Sequence, residues 1–238
     1  MKDAQNNQLI AALPDDVYSH WLGQWETVEM PLGDVLHASG RSISHVYFPT
    51  TSIVSLLHTL ESGASAEVAV VGNEGIVGIS SFMGGSSTPY QSVVRSAGSG
   101  LRLPVSALMR AFEQVGPVAQ LLLRYTQALI TQVSQIAVCN RHHSVDQQLC
   151  RWLLFNLDRL RSNEMWTTQE LIANMLGVRR EGVTEAAGRL QKEGVIRYAR
   201  GRITVMDRPA LERRSCECYL VVKVEYGRPL QGQQAFEP

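Results

Sequence analysis

The feature that most restricts the fold is the run of residues 167–205, which reads as two short helices around a glycine followed by two strands. Thr167 stands three residues before a glutamate, and this capping-box spacing predicts that a helix begins there. Apolar positions then continue to Gly177, whose backbone suits a helix end. A second amphipathic helix follows, and the run closes with alternating residues that turn near Arg200 and Gly201. This order predicts a helix-turn-helix with a hairpin wing.

Charge is distributed unevenly along the chain. In total, 22 Lys and Arg balance 22 Asp and Glu, which taken alone argues against a nucleic-acid partner. Residues 1–138 carry six basic and ten acidic side chains, whereas the remaining residues carry sixteen basic and twelve acidic ones. Between Arg179 and Arg202, seven basic side chains face three acidic ones. This asymmetry indicates that the C-terminal half contacts a polyanion.

The first half of the chain has the pattern of a small antiparallel barrel or sandwich, because short β-branched runs alternate with glycine and proline. We expect strands at residues 43–48, 53–58, 67–71, 76–79 and 91–95. We expect helices at residues 14–22, 104–112 and 145–160, and a long helix from Pro117. Hydrophobic residues make up 45% of the chain and charged residues 18%, which excludes a disordered chain and favours a globular one. The expected strands and helices together indicate an α+β fold.

The long helix carries one continuous apolar stripe with steps of three and four residues. Its members are Val118, Leu122, Tyr125, Leu129, Val133 and Ile136. Such a stripe is typical either of a core helix packed on the β domain or of the seam of a parallel coiled-coil-like dimer. We favour the dimer seam, because helix-turn-helix proteins usually bind two-fold symmetric DNA sites.

The segment TTQELIANMLGVRREGVTEAAGRLQKEGVI (residues 167–196) is similar to the DNA-binding signature of the Crp/Fnr superfamily. The shared features are a glycine turn, an Arg-Glu pair, a later leucine and a Gly-hydrophobic-Ile ending, and the resemblance covers nearly the whole chain. It implies an N-terminal cyclic-nucleotide-binding-like β-roll or jelly roll (1–116), a long dimerisation helix (117–140) and a C-terminal winged helix-turn-helix (141–238).

The resemblance also implies partners and a function. We expect a homodimeric transcription regulator that binds an inverted repeat in double-stranded DNA, with RNA polymerase as a candidate partner and an unknown effector. By the same resemblance, Arg180 and Glu181 match positions that read base edges. Glu185 occupies a third reading position that is often arginine in the family, so we expect a different preferred operator.

Side-chain chemistry supports these roles. Arginine can bind guanine O6 and N7 with two hydrogen bonds, and glutamate can accept one from the cytosine amino group. The alternative is an ordinary solvated charged helix face. We expect DNA phosphates to be contacted by Thr168, Gln169, Arg179, Arg197, Arg200 and Arg202.

Residues 75–94 correspond to the segment that holds the nucleotide in cyclic-nucleotide-binding relatives, and they contain no charged residue. Those relatives use a glutamate on the ribose and an arginine on the phosphate, and a buried anion without a cation is poorly compensated. We therefore expect no tight cyclic AMP binding. The polar candidates for any effector pocket are Glu74, Ser86, Ser87, Thr88 and Arg95.

Two alternatives to the predicted function stay open. One is a cyclic-nucleotide-responsive regulator of the same family, and the other is a small-molecule sensor whose main output is not DNA binding.

The cysteines and histidines gave no clear metal signal. Cys139 and His143 share a helix face, but a packed thiol and a surface histidine are the commoner arrangement. Cys216 and Cys218 are too sparse for a four-ligand zinc site, so two unpaired thiols are favoured over a redox pair. We expect no metal and no cofactor.

The sequence also lacks the usual signals of an enzyme or of export. It shows no nucleophile with a base, no phosphate loop and no committed acidic pair, so we expect no enzymatic activity. It shows neither a signal-peptide core nor a membrane-spanning run, so we expect a cytoplasmic protein.

Overall fold

The computed structural model of the chain describes residues 4–160 and 162–227. The helices are α1 (Gln8–Ala11), α2 (Asp15–Trp21), α3 (Val105–Phe112), α4 (Pro117–His142), α5 (Val145–Leu157), α6 (Gln169–Leu176), α7 (Arg180–Lys192), α8 (Arg208–Arg214) and α9 (Cys218–Gly227). The strands are β1 (Glu26–Met30), β2 (Val35–His37), β3 (His45–Pro49), β4 (Ile53–Thr59), β5 (Ser65–Val71), β6 (Gln91–Ser96), β7 (Gly98–Pro104), β8 (Glu164–Trp166), β9 (Ile196–Ala199) and β10 (Arg202–Val205). Within these ranges, no helix is both long and apolar enough to cross a membrane.

Two antiparallel sheets form the N-terminal part. Their strand orders are β1–β7–β3 and β2–β6–β4–β5. Side chains such as Val46, Val54, Ala69 and Leu103 are fully buried and belong to one core. The mixed helix and sheet fold with an antiparallel β-roll is therefore confirmed.

Four of the five predicted strands are present with small shifts in their bounds, but the strand predicted at 76–79 is wrong. There, Val77 makes only an isolated bridge to Tyr47. Gly78 has a φ of 107°, a conformation that favours glycine, and it turns the chain into a short 3-10 helix. The apolar run is buried without being extended.

Three strands of the β-roll, β1, β2 and β7, were not predicted. Strand β7 contains Gly98 and Gly100, although the sequence pattern predicts that glycines in this half of the chain separate the strands. A Cβ at Gly98 would lie 2.7 Å from the backbone nitrogen of Ser52, and one at Gly100 would lie 2.9 Å from the carbonyl oxygen of Phe48. These glycines permit neighbouring backbone segments to approach closely. A glycine serves this purpose less often than it forms a turn.

The apolar stripe of α4 packs on the β-roll, and this corrects the predicted dimer seam. Five of the six seam residues are at most 7% exposed, namely Val118, Leu122, Tyr125, Leu129 and Ile136. The Tyr125 hydroxyl donates to the carbonyl oxygen of Ile76 at 3.2 Å, and its ring lies over Gly75. The open side of the roll needs an apolar cover, and α4 supplies it with the residues that we had assigned to the seam.

The solvent-facing side of α4 is nevertheless apolar at several positions. Leu123 is 53% exposed, Ile130 48%, Val133 39% and Val138 49%. Val133 is thus the sixth predicted seam residue and lies at the edge of this side. We call these four residues the outer face of α4.

The C-terminal part is built around α5, whose residues 148–157 are all buried. Ser144 caps α5 in a reciprocal capping box with Gln147. Helices α6 and α7 pack on α5, and β8, β10 and β9 form a small antiparallel sheet in that order. Helix α9 packs along α4, so the last described helix contacts the long helix.

Candidate nucleic-acid interface

Helices α6 and α7 are joined by the tight turn that the sequence predicts. Gly177 ends α6 with φ 66° and ψ 32°, and α7 begins three residues later. The predicted cap is displaced by one residue, because Thr168 rather than Thr167 accepts from the amide of Leu171, at 3.1 Å. Thr167 is buried, and its amide donates to the carbonyl oxygen of Gly201 in the wing turn.

Helix α7 has one buried and one exposed face. Its buried residues are Val183, Ala186, Ala187 and Leu190. The predicted base-reading residues Arg180, Glu181 and Glu185 are exposed, with Arg180 and Glu181 in the first turn. Apolar packing therefore fixes the helix, while its first turn is open to a ligand.

Two contacts fix the orientation of α7. The Thr184 hydroxyl donates to Gln169 Oε1 at 2.7 Å, so the side chain of Gln169 connects the start of α6 to α7. Arg189 donates to both carboxylate oxygens of Asp146 at 2.8 and 2.7 Å. These hydrogen bonds lower the pKa of Asp146. Arg189 therefore holds α7 on α5, a role that the sequence did not indicate.

The wing is the hairpin of β9 and β10. Arg200 and Gly201 both have positive φ, 51° and 76°, which is the geometry of a two-residue type I′ turn. Arg197 and Arg200 are exposed on it. Arg202 is also exposed but lies 3.5 Å from Glu164, and its guanidinium stacks over Trp166. The wing therefore exposes Arg197 and Arg200 to solvent, whereas the exposed Arg202 lies beside the carboxylate of Glu164.

Strand β8 adds a residue to this surface that we did not predict. Trp166 pairs with Arg202 across the sheet and is 71% exposed. In this strand, Met165 is buried between two more exposed residues, which is the alternation typical of a strand. An alternation over only three residues is too short to predict a strand from sequence. Thr168 and Arg179 are exposed at the starts of α6 and α7. The exposed predicted DNA-contacting residues therefore occupy α6, α7 and the wing.

The predicted effector pocket does not assemble. Glu74 forms an ion pair with Arg159 of the C-terminal part, with Nε and Oε1 2.8 Å apart and both side chains nearly buried. Arg95 lines a different cavity, of about 290 Å³, between the β-roll and the C-terminal part. Ser86, Ser87 and Thr88 do not line this cavity. Thr88 is buried, and all three residues lie near the loop before β3.

The Arg95 cavity contains a buried carboxyl group. Glu67 accepts hydrogen bonds from the Ser55 hydroxyl and, at 3.2 Å, from Trp152 Nε1. Burial raises the pKa of Glu67, while the charge of Arg95 partly opposes that rise. Arg95 and Glu67 therefore line the same cavity, and none of residues 75–94 lines it.

Three cysteines and a histidine lie together, although we had treated them as separate pairs. Candidate ligand atoms of Cys139, His143, Cys216 and Cys218 all lie within 4.8 Å of one another. The hydrogen bond between Cys139 and Cys216 raises the pKa of Cys139 and lowers that of Cys216. Burial raises the pKa of Cys218. Neither pair alone is enough to predict a metal site, because the two pairs come together only in the folded chain.

Two family models match the chain. A cyclic nucleotide-binding domain matches residues 27–115, and a Crp-like helix-turn-helix domain matches residues 147–214. The chain belongs to the Crp/Fnr superfamily. In this Crp/Fnr protein, the first matched range runs from the second residue of β1 to just beyond α3, and the second runs from the third residue of α5 to the end of α8.

Solved structures share the fold of this Crp/Fnr protein. A crp/fnr-family transcriptional regulator from Eubacterium rectale is 19% identical, with a TM-score of 0.68 over 86% of this chain and 96% of that one. FixK2 from Bradyrhizobium japonicum is 17% identical, with a TM-score of 0.67 over 81% and 98%. The c-di-GMP responsive regulator CLP from Xanthomonas campestris is 13% identical, with a TM-score of 0.61 over 81% and 99%. A search of curated protein sequences found no match.

This Crp/Fnr protein is a transcription regulator with a helix-turn-helix DNA-binding domain, and its relatives are regulators rather than enzymes.

Proposed function

We propose that this Crp/Fnr regulator binds an inverted-repeat operator as a homodimer, with α7 of each protomer in a major groove, and that cyclic AMP does not control it. The observation that carries the proposal is the first turn of α7. Arg180 and Glu181 are exposed there, while the opposite face of the helix is packed on α5 and α6. To contact base edges in the major groove, a helix must be held rigidly and its first-turn side chains must be exposed.

The proposed base contacts follow from donor and acceptor geometry. Arg180 would donate two hydrogen bonds to guanine, and Glu181 would accept from cytosine. Glu185 lies one turn further along α7 and would read a third base pair. It lies beside Arg189, with 3.8 Å between Nη1 of Arg189 and Oε2 of Glu185. Arg189 is also held by its hydrogen bonds to Asp146. We therefore expect Arg189 to orient Glu185 and not to contact a base itself.

The proposed phosphate contacts surround α7. The Thr168 hydroxyl accepts a backbone hydrogen bond as a cap and retains its own proton to donate to a phosphate. Gln169, Arg179, Arg197, Arg200 and Arg202 would add contacts that position the protein without reading sequence. We assign Arg202 a smaller share than Arg200, because Glu164 already offsets part of its charge.

The proposed dimer uses the outer face of α4 in place of the predicted seam. Leu123 and Ile130 are seven residues apart, and Val133 follows three residues later, which is the spacing of alternating coiled-coil positions. Exposed apolar side chains at that spacing favour contact with a second copy of the helix. Two α7 helices would then meet half-sites about 34 Å apart. We retain the division into residues 1–116, 117–140 and 141–238 as part of this proposal.

The proposed independence of cyclic AMP rests on where the charged groups lie. Glu74 is paired with Arg159, and Arg95 lines a cavity with Glu67 that none of residues 75–94 lines, so we expect neither to bind ribose or phosphate there. Tyr125 also lies directly over Gly75. Calorimetry with cyclic AMP and cyclic GMP tests this point. We expect no binding at micromolar concentrations, and tight binding of either nucleotide would contradict the proposal.

Selection of bound fragments from random duplex DNA tests the main proposal. We expect an inverted repeat whose half-site centres are one helical turn apart. A single half-site, or no enrichment, would contradict the dimeric mode of binding. We further propose that the regulator acts in the cytoplasm and that RNA polymerase is its protein partner, which a pull-down with operator DNA bound would test.

A further inference from the structure

Two short segments that are distant in sequence meet at the end of α4. Cys139 lies in the last turn of α4, and His143 is the residue at which that helix ends. Cys216 precedes α9 and Cys218 begins it. Cys139, Cys216 and Cys218 are buried, and His143 is half-buried. The chain has thus gathered three thiols and an imidazole in one place, at the joint between the long helix and the C-terminal part.

The distances within this group suit a single tetrahedral ion. Zinc binds thiolate sulfur at about 2.3 Å and imidazole nitrogen at about 2.0 Å, so a tetrahedron has edges of about 3.8 Å between sulfurs and about 3.5 Å between sulfur and nitrogen. Here the sulfurs of Cys139 and Cys216 are 3.5 Å apart, and the sulfur of Cys218 lies 3.6 Å from Nδ1 of His143. All four atoms lie within 4.8 Å of one another. Small side-chain rotations would close the group on one ion.

The surroundings of the four residues are those of a metal site. Nε2 of His143 lies 3.3 Å from a carboxylate oxygen of Glu217, which orients the ring and leaves Nδ1 facing Cys218. A carboxylate on the far nitrogen of a ligating histidine is a common arrangement in metal sites. The buried Arg151 donates from Nε to the sulfur of Cys139 at 3.2 Å. Three thiolates and a divalent ion carry a net negative charge, which this guanidinium offsets.

We propose that Cys139, His143, Cys216 and Cys218 form a closed four-ligand site for one zinc-class divalent ion. Thiolate and imidazole ligands select borderline and soft ions over magnesium or calcium. Four protein ligands leave no open position, which is typical of a structural rather than a catalytic site. Iron–sulfur clusters distribute their ligands over separate iron atoms, so their ligands stand further apart than these. On binding, the thiols release their protons to solvent, and the ion bonds to three sulfurs and one nitrogen.

The site would fix the joint that connects the two parts of the regulator. Ser144, the cap of α5, follows His143 directly. An ion bound here would tie the end of α4 to the start of α9, and would therefore set the direction in which α5 leaves the long helix. Metal binding itself does not depend on DNA binding, so the site stands whether or not the proposed operator is correct.

Cobalt titration of the reduced full-length chain tests the site. We expect one Co²⁺ per chain with the intense visible bands of a tetrahedral ion and a thiolate charge-transfer band, and displacement by Zn²⁺. Cys216→Ser and Cys218→Ser should weaken Zn²⁺ binding by at least about 100-fold, because losing a ligand costs more than losing an outer partner. The matched control is Cys150→Ser, since Cys150 is equally buried but lies outside the group. It should keep the wild-type spectrum.

Two results would overturn the proposal. One is the absence of a tetrahedral spectrum when thiol titration shows all cysteines reduced. The other is a wild-type spectrum in Cys216→Ser and Cys218→Ser. Should those variants fail to fold by circular dichroism, Glu217→Gln replaces them, because Glu217 is 73% exposed. It should lower Zn²⁺ affinity by about 10-fold without changing the cobalt bands, and an unchanged affinity would count against the proposal.

Discussion

Arg159 and Glu74 form a buried ion pair that joins the segment just after α5 to the segment after β5, with Nε and Oε1 2.8 Å apart. Arg159 also donates to the carbonyl oxygen of Phe155 at 2.6 Å and stacks over the ring of Tyr226. A Cβ added at Gly72 would lie within 3 Å of the Arg159 side chain. This pair therefore connects the β-roll to the DNA-binding part and leaves Glu74 unavailable to a nucleotide.

Breaking this pair should destabilise the protein. Glu74→Gln leaves the Arg159 cation buried without its anion, and we expect the free energy of unfolding to fall by about 3 to 5 kcal/mol. Urea denaturation measures the change. Glu26→Gln is the matched control, because it removes a carboxylate from an exposed pair with Arg102 and should leave stability unchanged. Equal effects of the two variants would contradict the role of the buried pair.

Arg180→Ala should relax specificity at one base pair of each half-site. Loss of a bidentate contact to guanine costs about 1 to 3 kcal/mol of discrimination. Binding to operators carrying each single substitution measures the loss position by position. Arg41→Ala, which removes an exposed arginine from the β-roll, should leave the preference unchanged. A uniform loss of affinity across all sequences would assign Arg180 to phosphate instead.

Arg200→Ala should reduce the slope of log affinity against log salt by about one, as expected when one phosphate contact is lost. Arg202→Ala should reduce it by less, because Glu164 already lies beside that guanidinium. Filter binding across a salt series on operator and random DNA measures both slopes. If Arg202→Ala had the larger effect, the ion pair with Glu164 would not persist on DNA.

Ile130→Glu should produce monomers and abolish tight operator binding, because it places a charge in the outer face of α4. Sedimentation velocity measures the oligomeric state. Val115→Glu is the control, since Val115 is 82% exposed and lies outside α4. A dimer that survives Ile130→Glu would show that another surface joins the protomers.

Glu67 should make stability depend on pH. In the unfolded chain its carboxyl group has the usual pKa, whereas burial raises the pKa in the folded protein. The folded state therefore holds the proton more tightly, and stability is lost as pH rises from the usual pKa through the raised one. Glu67→Gln should remove this loss and become more stable than wild type at neutral pH. Urea midpoints measured from acidic to neutral pH check this, and parallel curves for the two proteins would contradict it.

The sequence by itself determined the features that arise from local interactions. Gly177 ends a helix and Arg200-Gly201 turns a hairpin because their backbone conformations are set by neighbouring residues, so their spacing could be read along the chain. The spacing of the apolar residues likewise predicted that α4 is one helix. It could not tell whether Tyr125 faces the chain's own β-roll or a second copy, because an apolar stripe can be buried against either one.

Only the tertiary structure decided which distant groups meet. Glu74 lies beside Arg159, 85 residues away, and Cys139 lies beside Cys216, 77 residues away. Neither pairing leaves a periodic signal, since contacts between separate elements depend on how whole faces pack rather than on spacing within one segment. Folding placed the charge of Glu74 against a partner outside the nucleotide-binding segment and gathered four ligand side chains at the end of α4.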